Sequence, residues 1–249
     1  MDVGAGAGRF SLSPGLDVGS LADAFARAGR LQVRNLFDDA SAEAVALALE
    51  EERGWTRSVR FQSGAFSVPL DGREPTQAMH RQWLDEARPD PESRSMQWLY
   101  DARRFSQERR LGLVRGDLLG DLWGFLNGEA FLGFGRALTG DDAPAACEMQ
   151  ATRYRPGDFL TLHSDRDQGG DRLYAYVLNF SRGWRPEWGG LLLFHDEAGN
   201  VVDGFAPAFN SLSIFRVPMD HSVSQVASFA PRDRFAVSGW LLRTPPQSS

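Results

Sequence analysis

The stretch FLTLHSDRDQGG, residues 159–170, decides how this sequence is interpreted. Its first part has the composition and alternation of a β-strand running from Phe159 to His163. Alternate side chains of a strand lie on one face, so His163 and Asp165 would project from the same side if the strand continued. Both residue types bind metals, and the end of this strand is therefore a candidate metal site.

A second histidine completes the candidate site. His221 begins another predicted strand, HSVSQV, and is one of only four histidines in the chain. Two histidines and one carboxylate on a β scaffold form the facial ligand set of non-haem Fe(II) oxygenases, which leaves coordination positions open. The His-x-Asp pair alone is weak evidence, because such triplets arise by chance among 33 acidic residues.

Composition limits the classes of protein that this chain can represent. Its 249 residues are 42% hydrophobic, enough for a full core in one large domain or two small ones. A net charge of -6 and the lack of any Lys/Arg-rich block argue against nucleic-acid binding. The single cysteine, Cys147, permits no internal disulfide, and neither a signal peptide nor a membrane span is apparent. We expect a cytoplasmic protein, with its oligomeric state open.

The N-terminal part of the chain reads as mostly helical. Residues 1–20 are rich in Gly, Ser and Pro and are predicted to form a flexible segment, after which residues 21–145 are predicted to act as helical support. Ser20 and Ser41 are the predicted N-caps of the first two helices. The other predicted elements are a strand over RLQVRNLF (30–37), a helix over TQAMHRQWLDEA (76–87), a second helix or an ordered loop over MQWLYDARRF (96–105), and a helical block over 118–140.

The character of the chain changes after about Cys147. Short runs rich in Val, Leu, Phe, Tyr and Thr alternate with turns, which is typical of antiparallel β structure. The predicted strands are Glu148 to Tyr154, Phe159 to His163, Leu173 to Phe180, Gly190 to His195, Ser211 to Val217, His221 to Val226 and Arg234 to Leu242. A helical half braced on a β sandwich predicts one domain.

The motifs after His163 follow a recognisable order. WRPEWGGLLLF (184–194) supplies a Gly-Gly pair before a strand, HSVSQV supplies the second histidine, and RFAVSGWLL (234–242) places an arginine on the last strand. From Ala151 to Leu242 the chain closely resembles the iron- and 2-oxoglutarate-dependent dioxygenases, in particular their prolyl-hydroxylase-like branch. The resemblance implies an α+β fold, a double-stranded β-helix (jelly roll) core over 146–243 with the N-terminal helices packed on its sheet, and one dioxygenase domain over 21–249.

The same resemblance implies roles for individual residues. His163, Asp165 and His221 match the iron ligands, and Arg234 matches the residue that pairs with the distal carboxylate of 2-oxoglutarate. A guanidinium fork binds a carboxylate bidentately, which suits arginine better than lysine. Arg232 is the neighbour most easily confused with Arg234, but it follows a proline in a predicted turn, whereas Arg234 continues the strand alternation.

Two positions depart from the family pattern. Ala236 stands where a serine often follows the arginine, and Asn179 stands where many prolyl hydroxylases have a tyrosine that donates to the same carboxylate. Tyr154 matches a tyrosine that lines the cosubstrate pocket, so Arg234, Tyr154 and Asn179 form the predicted cosubstrate set.

Three further residues are predicted to contact substrate. They are Arg172, Asp167 and Trp240, for which the alternatives are a structural arginine, a solvated loop acid and a core tryptophan.

The resemblance implies a hydroxylase that uses Fe(II), 2-oxoglutarate and O2, with ascorbate as a possible reductant. The substrate expected first is a prolyl residue of a protein, and the acidic composition favours a basic target. A free amino acid or small metabolite is the alternative substrate. A non-catalytic jelly-roll binding module and a cupin-type metal isomerase, which has no need of Arg234, are the alternative functions.

Overall fold

The chain folds into one antiparallel sheet with helices packed on it. The computed structural model describes residues 8–61, 63–88, 95–113 and 116–244, and within these ranges it contains six α-helices and thirteen strands. The helices are α1 (Val18–Ala28), α2 (Asp39–Glu51), α3 (Gln77–Glu86), α4 (Phe105–Arg110), α5 (Leu118–Leu126) and α6 (Glu129–Thr139). The strands are β1 (Arg30–Arg34), β2 (Thr56–Phe61), β3 (Gly64–Pro69), β4 (Trp98–Arg104), β5 (Ala146–Cys147), β6 (Gln150–Tyr154), β7 (Phe159–His163), β8 (Arg172–Asn179), β9 (Leu192–His195), β10 (Val201–Phe205), β11 (Ser211–Arg216), β12 (His221–Val223) and β13 (Arg234–Leu242).

Strand order gives the sheet the shape of a jelly roll. The order is β1-β11-β8-β13-β6-β4-β7-β12-β9-β10, with β2, β3 and β5 attached at the side. The two end strands approach each other, because Arg30 of β1 forms a 2.7 Å ion pair with Asp203 of β10. The sheet therefore nearly closes on itself, and the predicted double-stranded β-helix core is confirmed.

Strand alternation divides the side chains between the helical core and the interior of the roll. On β13, Val237 and Leu241 are buried in the main hydrophobic cluster with residues of α1, α2, α5 and α6. Arg234, Ser238 and Trp240, at even positions of the same strand, line the interior cavity. This period of two places apolar side chains against the helices and functional side chains inside the roll.

Both predicted N-caps are wrong for the same physical reason. The α1 cap is Asp17, whose carboxylate accepts from the Ser20 backbone N–H at 3.1 Å. The α2 cap is Asp38, whose carboxylate accepts from the Ser41 backbone N–H at 2.7 Å. Each predicted serine is the third helical residue, whose free N–H is bonded by the aspartate that precedes the helix.

The prediction for MQWLYDARRF is also wrong. Residues 98–104 form β4, which pairs with β2, β6 and β7 and lies between the two halves of the roll. The predicted helical support thus contributes strands to the sheet, including the β2–β3 hairpin, which the sequence analysis did not anticipate. The predicted strands of the C-terminal half agree with the observed ones to within three residues, although β5 and β10 were not predicted.

The N-terminal segment is described from residue 8 onwards. Phe10 is buried in the main cluster, and Leu12 forms an isolated antiparallel bridge with Phe37. Residues 1–7 of the predicted flexible segment lie outside the described residues. Among the helices of the described ranges, none has the length and apolar character needed to cross a membrane.

Candidate metal centre and cosubstrate pocket

Two neighbouring strands bring the three predicted metal ligands together. His163 ends β7 and His221 begins β12, and the two residues are direct partners in the antiparallel pairing. Asp165 lies between them, with Oδ1 3.4 Å from His163 Nε2 and Oδ2 3.4 Å from His221 Nε2. Ligand atoms of all three residues lie within 4.8 Å of one another, so one ion can be reached by all three.

Backbone hydrogen bonds fix the orientation of both imidazoles. His163 Nδ1 lies 2.9 Å from the Thr161 carbonyl oxygen, and His221 Nδ1 lies 2.7 Å from the Met219 carbonyl oxygen. A carbonyl only accepts, so each Nδ1 carries the proton and donates it. Nδ1 of each ring is thereby committed to the backbone, and Nε2, which faces Asp165, is the nitrogen left for a metal ion, as in metal-binding histidines.

A sharp backbone turn, rather than a continuing strand, directs Asp165 towards the histidines. The strand ends at His163, and Asp165 has a φ of +57°, a left-handed conformation that Asp tolerates better than most residues. Burial raises the pKa of Asp165, but hydrogen bonds and charge from His163 and His221 outweigh it and hold the pKa well below its usual range. The carboxylate is therefore ionised and available as a ligand.

Arg234 lies inside the same cavity, and within the described ranges no carboxylate forms an ion pair with it. It is 2% exposed, and one guanidinium nitrogen donates to the Asn179 side-chain oxygen at 3.2 Å. Its Nε is buried without a hydrogen-bond partner among the described residues. Burial lowers the pKa of Arg234, with partial compensation from Tyr154, whose ring centroid is 5.1 Å from the guanidinium carbon. A buried cation in this state fits an anionic ligand.

Two glycines before β9 allow close approaches, Gly190 to this arginine and Gly189 to the backbone of Gln225. A Cβ at Gly190 would lie 2.8 Å from Arg234 Cδ, and a Cβ at Gly189 would lie 2.1 Å from the Gln225 carbonyl oxygen. Both glycines have positive φ angles, which side chains rarely adopt. The Gly-Gly pair is therefore a backbone device that holds the chain close to the pocket.

The cavity has a volume of about 240 Å³ and contains most of the predicted site residues. Those that line it are His163, Asp165, His221, Arg234, Tyr154, Arg172 and Trp240. Asn179 lies behind Arg234 and is not part of the lining, and Asp167 belongs to a separate surface depression, where its carboxylate accepts from the Asp171 backbone N–H. Arg232 is also outside the cavity, with its guanidinium donating to the Arg182 carbonyl oxygen.

The aromatic wall that β4 contributes to the cavity was not predicted from the sequence. Trp98 and Tyr100, two residues apart on that strand, line the cavity, and the Tyr100 ring stacks on Tyr154 with centroids 5.1 Å apart. Alternation of Trp98, Tyr100 and Ala102 was the available signal, but apolar Leu99 and charged Asp101 between them concealed it. Gln150 and Ser238 are further polar residues of the wall.

A buried ion-pair cluster lies on the opposite side of β4. Arg57 of β2 is fully buried and donates to Asp101 at 2.9 Å and to both oxygens of Asp158. His80 of α3 joins the cluster, with Nδ1 3.3 Å from Arg57 and Nε2 2.9 Å from the Pro156 carbonyl oxygen. His80 is thus a structural residue that joins α3 to the cluster.

A C-terminal segment of about two fifths of the chain matches a known family. Residues 149–242 match the 2OG-Fe(II) oxygenase superfamily. The matched segment contains His163, Asp165, His221 and Arg234, and the resemblance seen in the sequence is confirmed. Fe(II), 2-oxoglutarate and O2 are the cofactors of the family, and the observed donor set of two imidazoles and one carboxylate fits Fe(II).

Solved structures extend the similarity to most of the chain. A 2OG-Fe(II) oxygenase-family oxidoreductase from Burkholderia pseudomallei has a TM-score of 0.63 and 14% identity, covering 96% of this chain and 96% of that chain. A Pseudomonas putida prolyl-4-hydroxylase has a TM-score of 0.57 and 18% identity, covering 92% and 100%. A Trichoplax adhaerens prolyl hydroxylase, in complex with a hypoxia inducible factor oxygen degradation domain peptide fragment, has a TM-score of 0.57 and 12% identity, covering 91% and 89%. At these low sequence identities, the similarity shows a shared fold. A comparison with curated proteins found no match.

Proposed function

We propose that this protein is an Fe(II)- and 2-oxoglutarate-dependent dioxygenase that hydroxylates an unactivated C–H bond of a prolyl residue in a protein. One observation carries the proposal: the three-ligand cluster and a buried arginine without a carboxylate partner line the same cavity. A structural metal site would need a closed ligand shell and no such arginine. A cupin-type isomerase would likewise leave Arg234 without a task.

Each residue of the pocket has a separate task in this proposal. His163, Asp165 and His221 would hold the ferrous ion, with the Thr161 and Met219 carbonyls keeping both imidazoles in the binding tautomer. When bound, the ion supplies the redox chemistry by which O2 oxidises both 2-oxoglutarate and substrate. The products are succinate, CO2 and an alcohol, with one oxygen atom in succinate and one in the new hydroxyl group.

Arg234 would bind the distal carboxylate of 2-oxoglutarate. Its location within the roll excludes most water, which strengthens a guanidinium–carboxylate pair. The Asn179 side-chain oxygen accepts from Arg234, whereas its amide nitrogen donates to Ser211 at 3.2 Å. We therefore assign Asn179 the task of orienting the guanidinium, and we assign the adjacent wall to Tyr154.

The prolyl substrate is supported by the walls of the cavity and by the solved structures of similar fold. Trp98, Tyr100 and Trp240 give the cavity flat aromatic surfaces suited to an apolar ring. The Pseudomonas putida and Trichoplax adhaerens proteins of similar fold are prolyl hydroxylases. We further propose that residues 21–249 act as a single catalytic domain, since the helical core and the cavity share the strands of one sheet.

Anaerobic titration tests the cofactor part of the proposal. Fe(II) and 2-oxoglutarate added together should give the visible charge-transfer band of the chelate. Arg234→Met should need a higher concentration of 2-oxoglutarate to reach the same band intensity. His163→Ala should lose the band, while Arg232→Met should retain it. The absence of a band in the intact protein would reject the proposal.

Mass spectrometry tests the substrate part. Cellular protein treated with the enzyme, Fe(II), 2-oxoglutarate and O2 should gain one oxygen atom at prolyl residues, with equivalent formation of succinate. Oxygen gained only by a free amino acid or metabolite would identify a small-molecule hydroxylase instead.

A further inference from the structure

A second opening adjoins the catalytic cavity on the β4 side. We call it the outer cleft; it has a volume of about 330 Å³ and is lined by Arg104, Gln107, Arg110, Glu148 and neighbouring residues. It shares part of its wall with the catalytic cavity, and the shared residues are Tyr100, Gln150, Arg172, Ser238, Gly239 and Trp240. A substrate reaching from the metal centre to the surface on this side would pass along the outer cleft.

The outer cleft carries more positive than negative charge. Three arginines line it, Arg104, Arg110 and Arg172, against one glutamate, Glu148. Arg110 forms an ion pair with Glu148 at 3.4 Å, so the glutamate of the cleft is paired with Arg110 and not with Arg104 or Arg172. Across the described ranges of the chain, neither Arg104 nor Arg172 forms an ion pair with a carboxylate.

Both unpaired arginines are held in place by neutral groups. Arg172 lies with its guanidinium carbon 3.6 Å from the Trp240 ring centroid and has a long contact of 3.4 Å to the Asp165 carbonyl oxygen. Arg104 donates to the Ser58 hydroxyl at 2.9 Å. Aromatic stacking and a hydroxyl orient a guanidinium without neutralising it, so each retains donors for an anion.

Arg172 and Arg104 lie at different distances from the candidate metal centre along the outer cleft. Arg172 contacts the backbone of a metal-ligand residue, whereas Arg104 lies four residues beyond Tyr100 on β4. Four residues of extended strand span roughly 13 Å. An extended peptide with its reacting residue at the metal centre would therefore present a nearby side chain to Arg172 and one a few residues away to Arg104.

We propose that the outer cleft selects a substrate peptide with acidic side chains flanking the target prolyl residue, bound by Arg172 and Arg104. This inference rests on the proposed function and specifies its substrate class. The net charge of -6 favours a basic target when the whole molecule is considered. Charges that line a cleft act on a substrate at shorter range than the rest of the surface does, and here their sum is positive.

The test uses three short peptides that share one proline and one background and differ only in having Glu, Gln or Lys at the flanking positions. Each is incubated with protein, Fe(II), 2-oxoglutarate and O2, and kcat/KM is obtained from oxygen gain by mass spectrometry. The Glu peptide should react roughly tenfold faster than the Gln peptide, with the Lys peptide slowest. Added salt should reduce the difference, because exposed charges are screened.

Variants then identify the residue responsible. Arg104→Gln should reduce the preference for Glu, and Arg104→Glu should shift it towards the Lys peptide. Arg27→Gln removes an exposed arginine of α1 that lines neither opening, and should leave the order of the peptides unchanged.

The outcomes separate this inference from the proposed function. Equal rates for all peptides, a preference unaffected by Arg104→Glu, or no peptide hydroxylation while the Fe(II)–2-oxoglutarate band is present would each overturn the acidic-substrate inference alone. A missing band would overturn both.

Discussion

Two buried arginines, on opposite sides of β4, have opposite electrostatic surroundings. Arg57 is fully buried and pairs with the carboxylates of Asp101 and Asp158. Arg234 is 2% exposed, and its described contacts are the Asn179 amide oxygen and the face of Tyr154. The two side chains are buried to the same degree, yet only one has its charge compensated by the protein.

Under the proposed function, the difference separates a structural cation from one that binds a ligand. Burying a guanidinium carries a large desolvation cost, which carboxylates offset within the fold at Arg57. At Arg234 the described residues provide no such carboxylate, and in the proposed function the distal carboxylate of 2-oxoglutarate would provide it. Burial of an arginine therefore says little about its role, whereas the sign of the charges around it says a great deal.

The largest effect on stability is expected from Arg57→Met. It leaves Asp158 without either guanidinium contact and removes one from Asp101, so the free energy of unfolding should fall by about 3–5 kcal/mol. Urea denaturation followed by fluorescence measures the change. Arg60→Met, at a partly exposed arginine on the same strand, should cost less than about 1 kcal/mol.

The cost of Arg57→Met should depend on pH. Burial raises the pKa of Asp101, but Arg57, Arg155 and Arg153 outweigh it and lower the pKa, so this group stabilises wild type above its unfolded pKa and loses the effect as pH falls. In the variant, protonation at low pH relieves Asp158, which has lost its guanidinium partner, while Asp101 keeps Arg153 and Arg155. The deficit should be larger at pH 7 than at pH 4, and a double variant with Asp158→Leu should recover part of it. A deficit independent of pH would contradict this account.

Arg234→Met should weaken cosubstrate binding without lowering stability, the reverse of what is expected for Arg57→Met. Loss of the guanidinium should weaken 2-oxoglutarate binding by about 2–5 kcal/mol, or roughly 30- to 1000-fold and more, because a buried carboxylate would lack its partner. The free energy of unfolding without ligand should stay equal or rise, because an uncompensated buried charge has been removed. Calorimetric titration and urea denaturation of the same variant measure the two effects. A large loss of stability with unchanged 2-oxoglutarate affinity would make Arg234 structural.

Asn179→Ala should have a smaller effect. Loss of one oriented hydrogen bond to Arg234 should raise KM for 2-oxoglutarate about fivefold, with little change in kcat. Ser211→Ala, which removes the acceptor of the Asn179 amide group, should change KM less. A loss as severe as that of Arg234→Met would mean that Asn179 contacts the cosubstrate itself.

The smallest effect is expected from alkylating agents acting on Cys147. Unlike the two buried arginines, this buried group is kept neutral by its surroundings. Burial raises the pKa of the Cys147 thiol to about 12, with a smaller opposing effect from Tyr176. At pH 8 roughly one molecule in 10⁴ then carries the thiolate, so iodoacetamide should leave the native protein unmodified. Mass spectrometry after treatment in urea should show full alkylation. Rapid labelling of the folded protein would contradict the burial of this thiol.

The residues of the candidate metal centre could be singled out from sequence because their signals are local. The strand ending at His163, the strand starting at His221 and the alternation of RFAVSGWLL each lie within a few residues, and the structure has Phe159–His163 and Arg234–Leu242 as predicted. The turn that directs Asp165 was not predictable from alternation, since it depends on a left-handed residue after the strand ends.

The wall formed by β4 could not be predicted for a different reason. Asp101 and Arg103 are buried charges, and in a sequence they resemble the polar face of a helix. The compensation of Asp101 comes from Arg57 and Arg153, which lie more than forty residues away in either direction. Such distant pairing leaves no local signal, so the strand was missed, and with it Trp98 and Tyr100.

In the proposed function, a side chain at position 190 would separate iron binding from oxygenase chemistry. A single added methyl group at this position would meet Arg234 Cδ at 2.8 Å, on a backbone whose φ of +64° already disfavours any side chain. The two histidines and Asp165 would be untouched by that change. If the proposed function holds, a descendant with that change would keep a complete iron-ligand motif in its sequence and lose enzymatic activity.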